Sequence, residues 1–118
     1  MTDRALCRLA TYGTLSPGES NHGQLDGLRG NWSAGRVRGR RFMVEHGPAA
    51  GYPGLVLHGA SDWVPVMIFE SDDLPSHWER LDAFEGEGYT RTIVPVETDV
   101  GSLRASIFLL AGNGTPLF

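Results

Sequence analysis

The chain has no lysine, a single cysteine and no long apolar run. All ten basic residues are arginine, a bias that fits codon usage in a GC-rich genome rather than a chemical demand. With Cys7 alone, no intrachain disulfide can form. Cys7 lies in an apolar, strand-like run and reads as a small buried residue. No run approaches the ~18 apolar residues of a membrane span, and the N-terminus has no apolar signal region. The expectation is a cytoplasmic protein with no membrane partner. The four histidines, His22, His46, His58 and His77, lack metal-ligand spacing, so no metal is expected. There is no Gly-x-Ser-x-Gly, and no Ser/His/Asp set can be defended. The net charge of −4 argues against nucleic acid as a partner.

The 118 residues suffice for one domain, taken as residues 1–118. An apolar fraction of 41% supports a core. Ala5–Tyr12 reads as a first buried strand, broken by Gly13-Thr14-Leu15-Ser16-Pro17-Gly18. Ser20 and Asn21 are placed to cap a short helical turn over Asn21–Leu28. Asn31–Glu45 reads as one long strand with a bulge near Gly39, and its Arg36, Arg38, Arg40 and Arg41 read as a solvated face. Tyr52-Pro53-Gly54 reads as a turn before a short strand Leu55–His58, and Gly59–Asp62 as another turn. Trp63–Glu70 is a strand that Pro65 weakens or places at an edge. Leu74, Trp78, Leu81 and Phe84 form one apolar stripe, which predicts a helix over Asp72–Glu85 that stops at Gly86. Its start is open between an Asp73 cap and a Ser76/Glu79 capping box. Thr90–Thr98 and Leu103–Leu110 are strands joined by a hairpin turn at Asp99–Ser102, and Gly112–Phe118 is a tail. About six strands and one main helix, without βαβ alternation, predict an α+β domain with a mixed or antiparallel, barrel-like sheet.

Two stretches carry candidate chemistry. Glu85 falls at the predicted helix end, beside unpaired carbonyls whose partial negative charge raises a carboxylate pKa and suits it to general acid–base work. A solvated helix-end glutamate is the plainer alternative, and Asp82 and Glu87 share it; Asp82 can equally pair with an arginine. Tyr12-Gly13-Thr14-Leu15 is the second stretch. Where a buried strand ends in Gly-Thr, free N–H groups can hold a carboxylate or an oxyanion; an ordinary strand-to-loop transition is the alternative. Tyr89 and Arg91 should share one face of the strand after the helix.

Tyr12-Gly13-Thr14-Leu15, followed by Tyr52-Pro53-Gly54, then Leu81-Asp82-Ala83-Phe84-Glu85-Gly86 and Tyr89-x-Arg91, resembles the γ-glutamylcyclotransferase-like family over nearly the whole chain. The resemblance implies a small mixed β-barrel flanked by helices. It implies that Tyr12, Gly13, Thr14 and Leu15 grip a small-molecule γ-glutamyl substrate, that Glu85 is the catalytic acid/base, and that Tyr89 lines the pocket. Asn21 matches an Asn that follows the glycine loop in many members. No metal or organic cofactor is implied. The leaving group would meet loops such as His46–Gly51. Two departures bear on substrate preference. Ser16 stands where many members carry Arg, and Pro65 and Val66 stand in a strand where many carry Gly-Glu. The alternatives are a binding or regulatory module that keeps the pocket without turnover, and an interaction domain using the Arg36–Arg41 surface. Oligomeric state is not readable.

Overall fold

A computed structural model of the protein describes residues 4–57 and 62–111. The expected turn after Val56–Leu57 and the C-terminal tail therefore lie largely outside the described residues, as does His58. Among the described residues there are seven strands: β1 (Arg8–Thr11), β2 (Asn31–Arg38), β3 (Arg40–Met43), β4 (Pro53–Val56), β5 (Trp63–Glu70), β6 (Tyr89–Thr98) and β7 (Gly101–Leu110). One α-helix, α1 (Trp78–Glu85), stands between β5 and β6. Five strands close a barrel in the order β1-β5-β2-β6-β7, and β3 and β4 form a separate two-stranded ribbon. The barrel is mixed. Its closing seam pairs β1 with β7 in parallel, Leu9 opposite Ser106 and Ala10 opposite Ile107, whereas the other pairings are antiparallel. No helix among the described residues is long and apolar enough to cross a membrane.

Strand alternation builds two apolar layers rather than one. Ala10, Val37, Val66, Ile68, Val96 and Ile107 point into the barrel. Their neighbours Leu9, Phe69 and Phe108 point outward and pack with Leu15, Leu25, Leu74, Trp78 and Leu81. The helix is therefore a lid on the outer face of the barrel. Its stripe behaves as the periodicity requires at Leu74, Trp78 and Leu81, all buried, but Phe84 stays partly exposed.

Several boundaries differ from the sequence reading. The first strand begins only at Arg8; Ala5–Cys7 is a 3₁₀ turn, and Cys7 is half-buried within it. That turn is pinned to the end of β5, because the Ser71 N–H donates to the Cys7 carbonyl at 2.8 Å and Arg4 and Arg8 both pair with Glu70. The long strand Asn31–Glu45 is two strands in different sheets. At Gly39 the chain leaves the barrel, where β2 pairs with β5, and pairs with β4 instead, so Pro53 and Gly54 are strand residues opposite Met43 and Phe42. Pro65 lies in the part of β5 that only β2 flanks, since β1 ends opposite Met67. The predicted helix starts as a 3₁₀ turn, Leu74–His77, with Pro75 at its beginning. Neither proposed cap forms: the Asp73 carboxylate instead accepts the Arg29 N–H at 2.8 Å. The turn over Asn21–Leu28 shrinks to His22–Leu25.

Gly86 ends α1 as predicted. Its backbone sits at φ 77°, ψ −168°, and its N–H donates to the Asp82 carbonyl. Space around a Cβ there is open, so the demand for glycine is purely one of backbone conformation, in a region that L side chains essentially never occupy. Gly86→Ala should cost about 1–3 kcal/mol, measured by urea unfolding. An unchanged unfolding midpoint would show that the helix end relaxes into another conformation.

Candidate active site

The end of α1 and the loop after β1 meet through the outer apolar layer. Leu15 is buried in the cluster that also holds Trp78 and Leu81, so the loop is anchored to the inner face of the helix that carries Glu85. Three further contacts hold the helix in place. The Trp78 indole N–H donates to the Leu6 carbonyl at 2.8 Å. Arg80 reaches the Gln24 carbonyl at 2.9 Å. Arg91 forks onto the Asp82 carboxylate, with its shorter contact at 2.8 Å, and its guanidinium lies 4.4 Å over the Trp78 ring. Asp82 is thus a structural partner of Arg91. Tyr89 and Arg91 share the β6 face toward the helix, as strand alternation requires.

Between helix end and loop lies a cavity of about 330 Å³, at the small end of ligand-site volumes. Tyr12, Gly13, Thr14, Leu15, Glu85 and Tyr89 all line it. Asn21 lines it too, and so do Pro48 and Ala49 of the His46–Gly51 loop. The sequence reading missed Phe84, Phe108, Thr11 and Pro53 as wall residues. Phe84 carried a signal, being the stripe member next to Glu85. Thr11 is the residue before Tyr12 and comes with it; Phe108 carried no signal, because β7 meets β1 across the parallel seam. A smaller hollow of about 140 Å³ adjoins, lined by residues including Ser16, Glu19 and Arg41. Ser16 does not line the main cavity; its hydroxyl donates to Thr11 Oγ1 at 2.9 Å. Pro65 and Val66 lie away from it as well, Pro65 exposed on β5 and Val66 in the barrel interior.

Burial sets the electrostatics. The Glu85 carboxyl is pushed up to about 7, with desolvation as the cause. Tyr12 is raised well above the ordinary phenol range, first by burial and then by the neighbouring Tyr89 and Glu85. Tyr89 is pushed up to about 12, by burial and then by Glu85. Both phenols are held as neutral donors: the Tyr12 hydroxyl donates to the Phe108 carbonyl, and the Tyr89 hydroxyl to the Pro53 carbonyl at 2.6 Å. The loop is held from behind. Asn21 donates from its backbone N–H to the Thr14 carbonyl at 2.8 Å and from Nδ2 to the Thr14 hydroxyl at 3.0 Å. His22 Nδ1 lies 3.0 Å from the Leu15 carbonyl. Among the described residues, no group of three or more His, Cys, Asp and Glu side chains is placed to hold a metal ion.

A closed, mixed five-stranded barrel with one main helix on its outer face is the fold of the γ-glutamylcyclotransferase-like proteins. Residues 9–117 match the family described as gamma-glutamyl cyclotransferase, AIG2-like, and the chain belongs to that family. It is 32% identical over 107 residues to YkqA of Bacillus subtilis (strain 168), a protein provisionally named a gamma-glutamylcyclotransferase. That match covers 90% of this chain but 36% of YkqA, so the chain spans about a third of its relative's length. The crystal structure of YkqA superposes with a TM-score of 0.70 at 33% identity, over 89% of this chain and 36% of YkqA. An uncharacterized protein of Pyrococcus horikoshii superposes at 0.62 with 27% identity, covering 89% and 78% of the two chains. An AIG2-like protein of Mus musculus superposes at 0.66 with 25% identity, covering 89% and 77%.

A carboxyl whose folded pKa lies above its unfolded value costs stability once it ionises. The penalty is absent below pH 4.5, grows as pH rises toward about 7 and is constant above. Glu85→Gln should therefore be more stable than the wild type at pH 8, by on the order of 1–2 kcal/mol after discounting for solvent contact, and nearly equal to it at pH 4. Thermal unfolding at the two pH values checks this; equal gains at both would mean that Glu85 titrates as an ordinary surface carboxylate.

Proposed function

We propose that the protein is a γ-glutamyl cyclotransferase that closes a γ-glutamyl amine or γ-glutamyl amino acid into 5-oxoproline and releases the free amine. The observation that carries this reading is that Glu85 and the Tyr12–Leu15 loop, seventy residues apart in sequence, line one cavity. The α-amine of the substrate attacks its own γ-carbonyl, forming a C–N bond within a five-membered ring. The bond to the departing nitrogen then breaks. The attack is intramolecular, and well-oriented cases reach effective molarities of about 10⁵ M or more.

Three tasks fall to the protein. The Glu85 carboxylate takes one proton from the α-ammonium before attack, and the ring nitrogen loses a second as the ring closes; the departing nitrogen gains both and leaves as an ammonium ion, so the proton count balances and no water is consumed. A carboxyl with a pKa near 7 serves both steps, because it accepts and returns a proton at small cost at neutral pH. The backbone N–H groups of Gly13 to Leu15 hold the α-carboxylate or the oxyanion that develops at the γ-carbon. Tyr12 and Tyr89, kept neutral, fix the walls against which the glutamyl chain folds, while Pro48, Ala49, Tyr52 and Phe84 face the leaving group.

The residues that depart from the family pattern, Ser16, Pro65 and Val66, stand off the lining of this cavity, which favours turnover over mere binding. Purified protein should release 5-oxoproline from at least one member of a panel comprising γ-glutamyl-lysine, γ-glutamyl amino acids and glutathione. The rate should rise with pH as Glu85 ionises around pH 7. Glu85→Gln should lose about 10²–10⁴-fold in kcat along with that acid limb, while keeping the folded circular-dichroism spectrum. Wild-type turnover in Glu85→Gln would remove Glu85 from the chemistry.

A further inference from the structure

Arginine at positions 36, 38, 40 and 41 reads in sequence as one solvated face, but the structure gives these residues different partners. Arg36 and Arg38 stack on the Trp63 ring at 4.4 and 4.2 Å. Arg41 turns the other way and donates from Nε to the Tyr12 carbonyl at 2.8 Å. Every residue of its strand, β3, is exposed, so the strand adds little to either core. Its position is defined instead by what the β3–β4 ribbon touches. Leu55, opposite Arg41 in the ribbon, is fully buried in the barrel core, against which Tyr12 packs. Pro53 accepts the Tyr89 hydroxyl, and its ring would lie 3.2 Å from a Cβ at Gly13. The ribbon thus bonds to the Tyr12 carbonyl and closes on Gly13.

We propose that Arg41 is a positioning residue for the substrate-binding loop, acting through the Tyr12–Gly13 peptide. This rests on the reading that the loop holds the acidic end of a γ-glutamyl group. In a trans peptide, the carbonyl and the following N–H point in opposite directions. Arg41 lies outside the residues that line the main cavity, and Gly13 is one of them. Anchoring the Tyr12 carbonyl to Arg41 therefore turns the Gly13 N–H away from Arg41, toward the cavity side. The next peptide is fixed in the same way, since the Gly13 carbonyl accepts the Ser16 N–H at 3.0 Å, which orients the N–H of Thr14. The Arg41 bond is charge-assisted. A cation on the carbonyl draws electron density from the amide and strengthens its N–H as a donor. The guanidinium thus acts on a bound carboxylate through one peptide unit, without touching it. Position 16 is serine, so the charge on this part of the loop comes from β3.

The test compares Arg41→Met and Arg41→Lys with the wild type by ¹⁵N–¹H spectroscopy and by titration with 5-oxoproline, alongside turnover. In Arg41→Met the Gly13 amide proton should move upfield, with changes confined to residues 11–16 and the β3–β4 ribbon. Kd for 5-oxoproline and KM should each rise about 10- to 100-fold, the worth of one charge-assisted hydrogen bond. The acid limb near pH 7 should stay in place, because Glu85 is untouched, and Arg41→Lys should recover part of the loss. An unmoved Gly13 resonance in Arg41→Met overturns the proposal, as does a change spread across the barrel, which would make Arg41 a stability residue only. Should the wild type release no 5-oxoproline from any γ-glutamyl compound, the catalytic reading fails. The Gly13 amide still decides the role of Arg41.

Discussion

The burial of Leu15 against the inner face of α1 is the contact on which the site depends. Leu15 belongs to the loop that follows β1, and Leu81 belongs to the helix; both are buried in the same apolar layer outside the barrel. Each such side chain stabilises the fold by about 1.5–3 kcal/mol when fully buried. That energy holds the loop backbone and Glu85 across one cavity. The loop therefore has two sides with different jobs: the Leu15 side chain is core, and the backbone on either side of it is wall. The layer exists because β1, β5 and β7 alternate apolar residues on both faces, Leu9 with Ala10, Phe69 with Ile68, Phe108 with Ile107. A barrel whose outer face were polar along these strands would offer the helix nothing to sit on.

The arrangement stores an electrostatic cost at one place. A carboxyl removed from water favours its neutral form, and among the described residues no cation offsets the burial that raises Glu85. Nearby arginines are committed elsewhere, Arg91 to Asp82 and Trp78, Arg80 to Gln24. A cation beside Glu85 would stabilise the fold and lower the pKa, and with it the capacity to return a proton at neutral pH. The two tyrosines sharpen the effect. Their hydroxyls are spent on carbonyls of Phe108 and Pro53, so they bring no positive charge and leave no donor that the carboxylate could use in place of substrate. Under the proposed reaction, the cavity is bipolar, with a proton acceptor at the helix end and N–H donors at the loop end. That matches the ammonium and carboxylate of an α-amino acid.

Local signals in the sequence carried much of this, and their reach explains what they missed. The i, i+4, i+7 stripe located the helix, and Gly86 its end, because both are properties of a few consecutive residues. The same holds for the hairpin between β6 and β7, where the turn tightens to Asp99–Val100 with Gly101 at φ 118°. Alternation also marked Asn31–Glu45 as extended. Alternation reports which face a residue occupies and says nothing of which strand lies beside it, so the transfer from barrel to ribbon at Gly39 was invisible. Ala5–Cys7 illustrates a different limit. An apolar run looks like a strand, but here it is a 3₁₀ turn whose carbonyls accept hydrogen bonds from the Ser71 N–H and the Ser106 hydroxyl, both distant in sequence. The cavity walls followed the same division: Glu85, Tyr89 and Tyr12–Leu15 came from contiguous motifs, while Phe108 depends on the parallel seam.

Position 16 shows how a departure from a family pattern changes meaning once the fold is known. In sequence, Ser16 after the Tyr-Gly-Thr-Leu run reads as a change at the substrate. In the structure its hydroxyl is bound to Thr11, which in turn donates to the Met67 carbonyl at 3.1 Å; the side chain ties the loop to the barrel. A guanidinium nonetheless reaches the same stretch from β3, a strand whose residues are all exposed. Under the proposal for Arg41, the loop's need is for a cation on the Tyr12 carbonyl, and here the fold delivers it from β3 rather than from the loop itself.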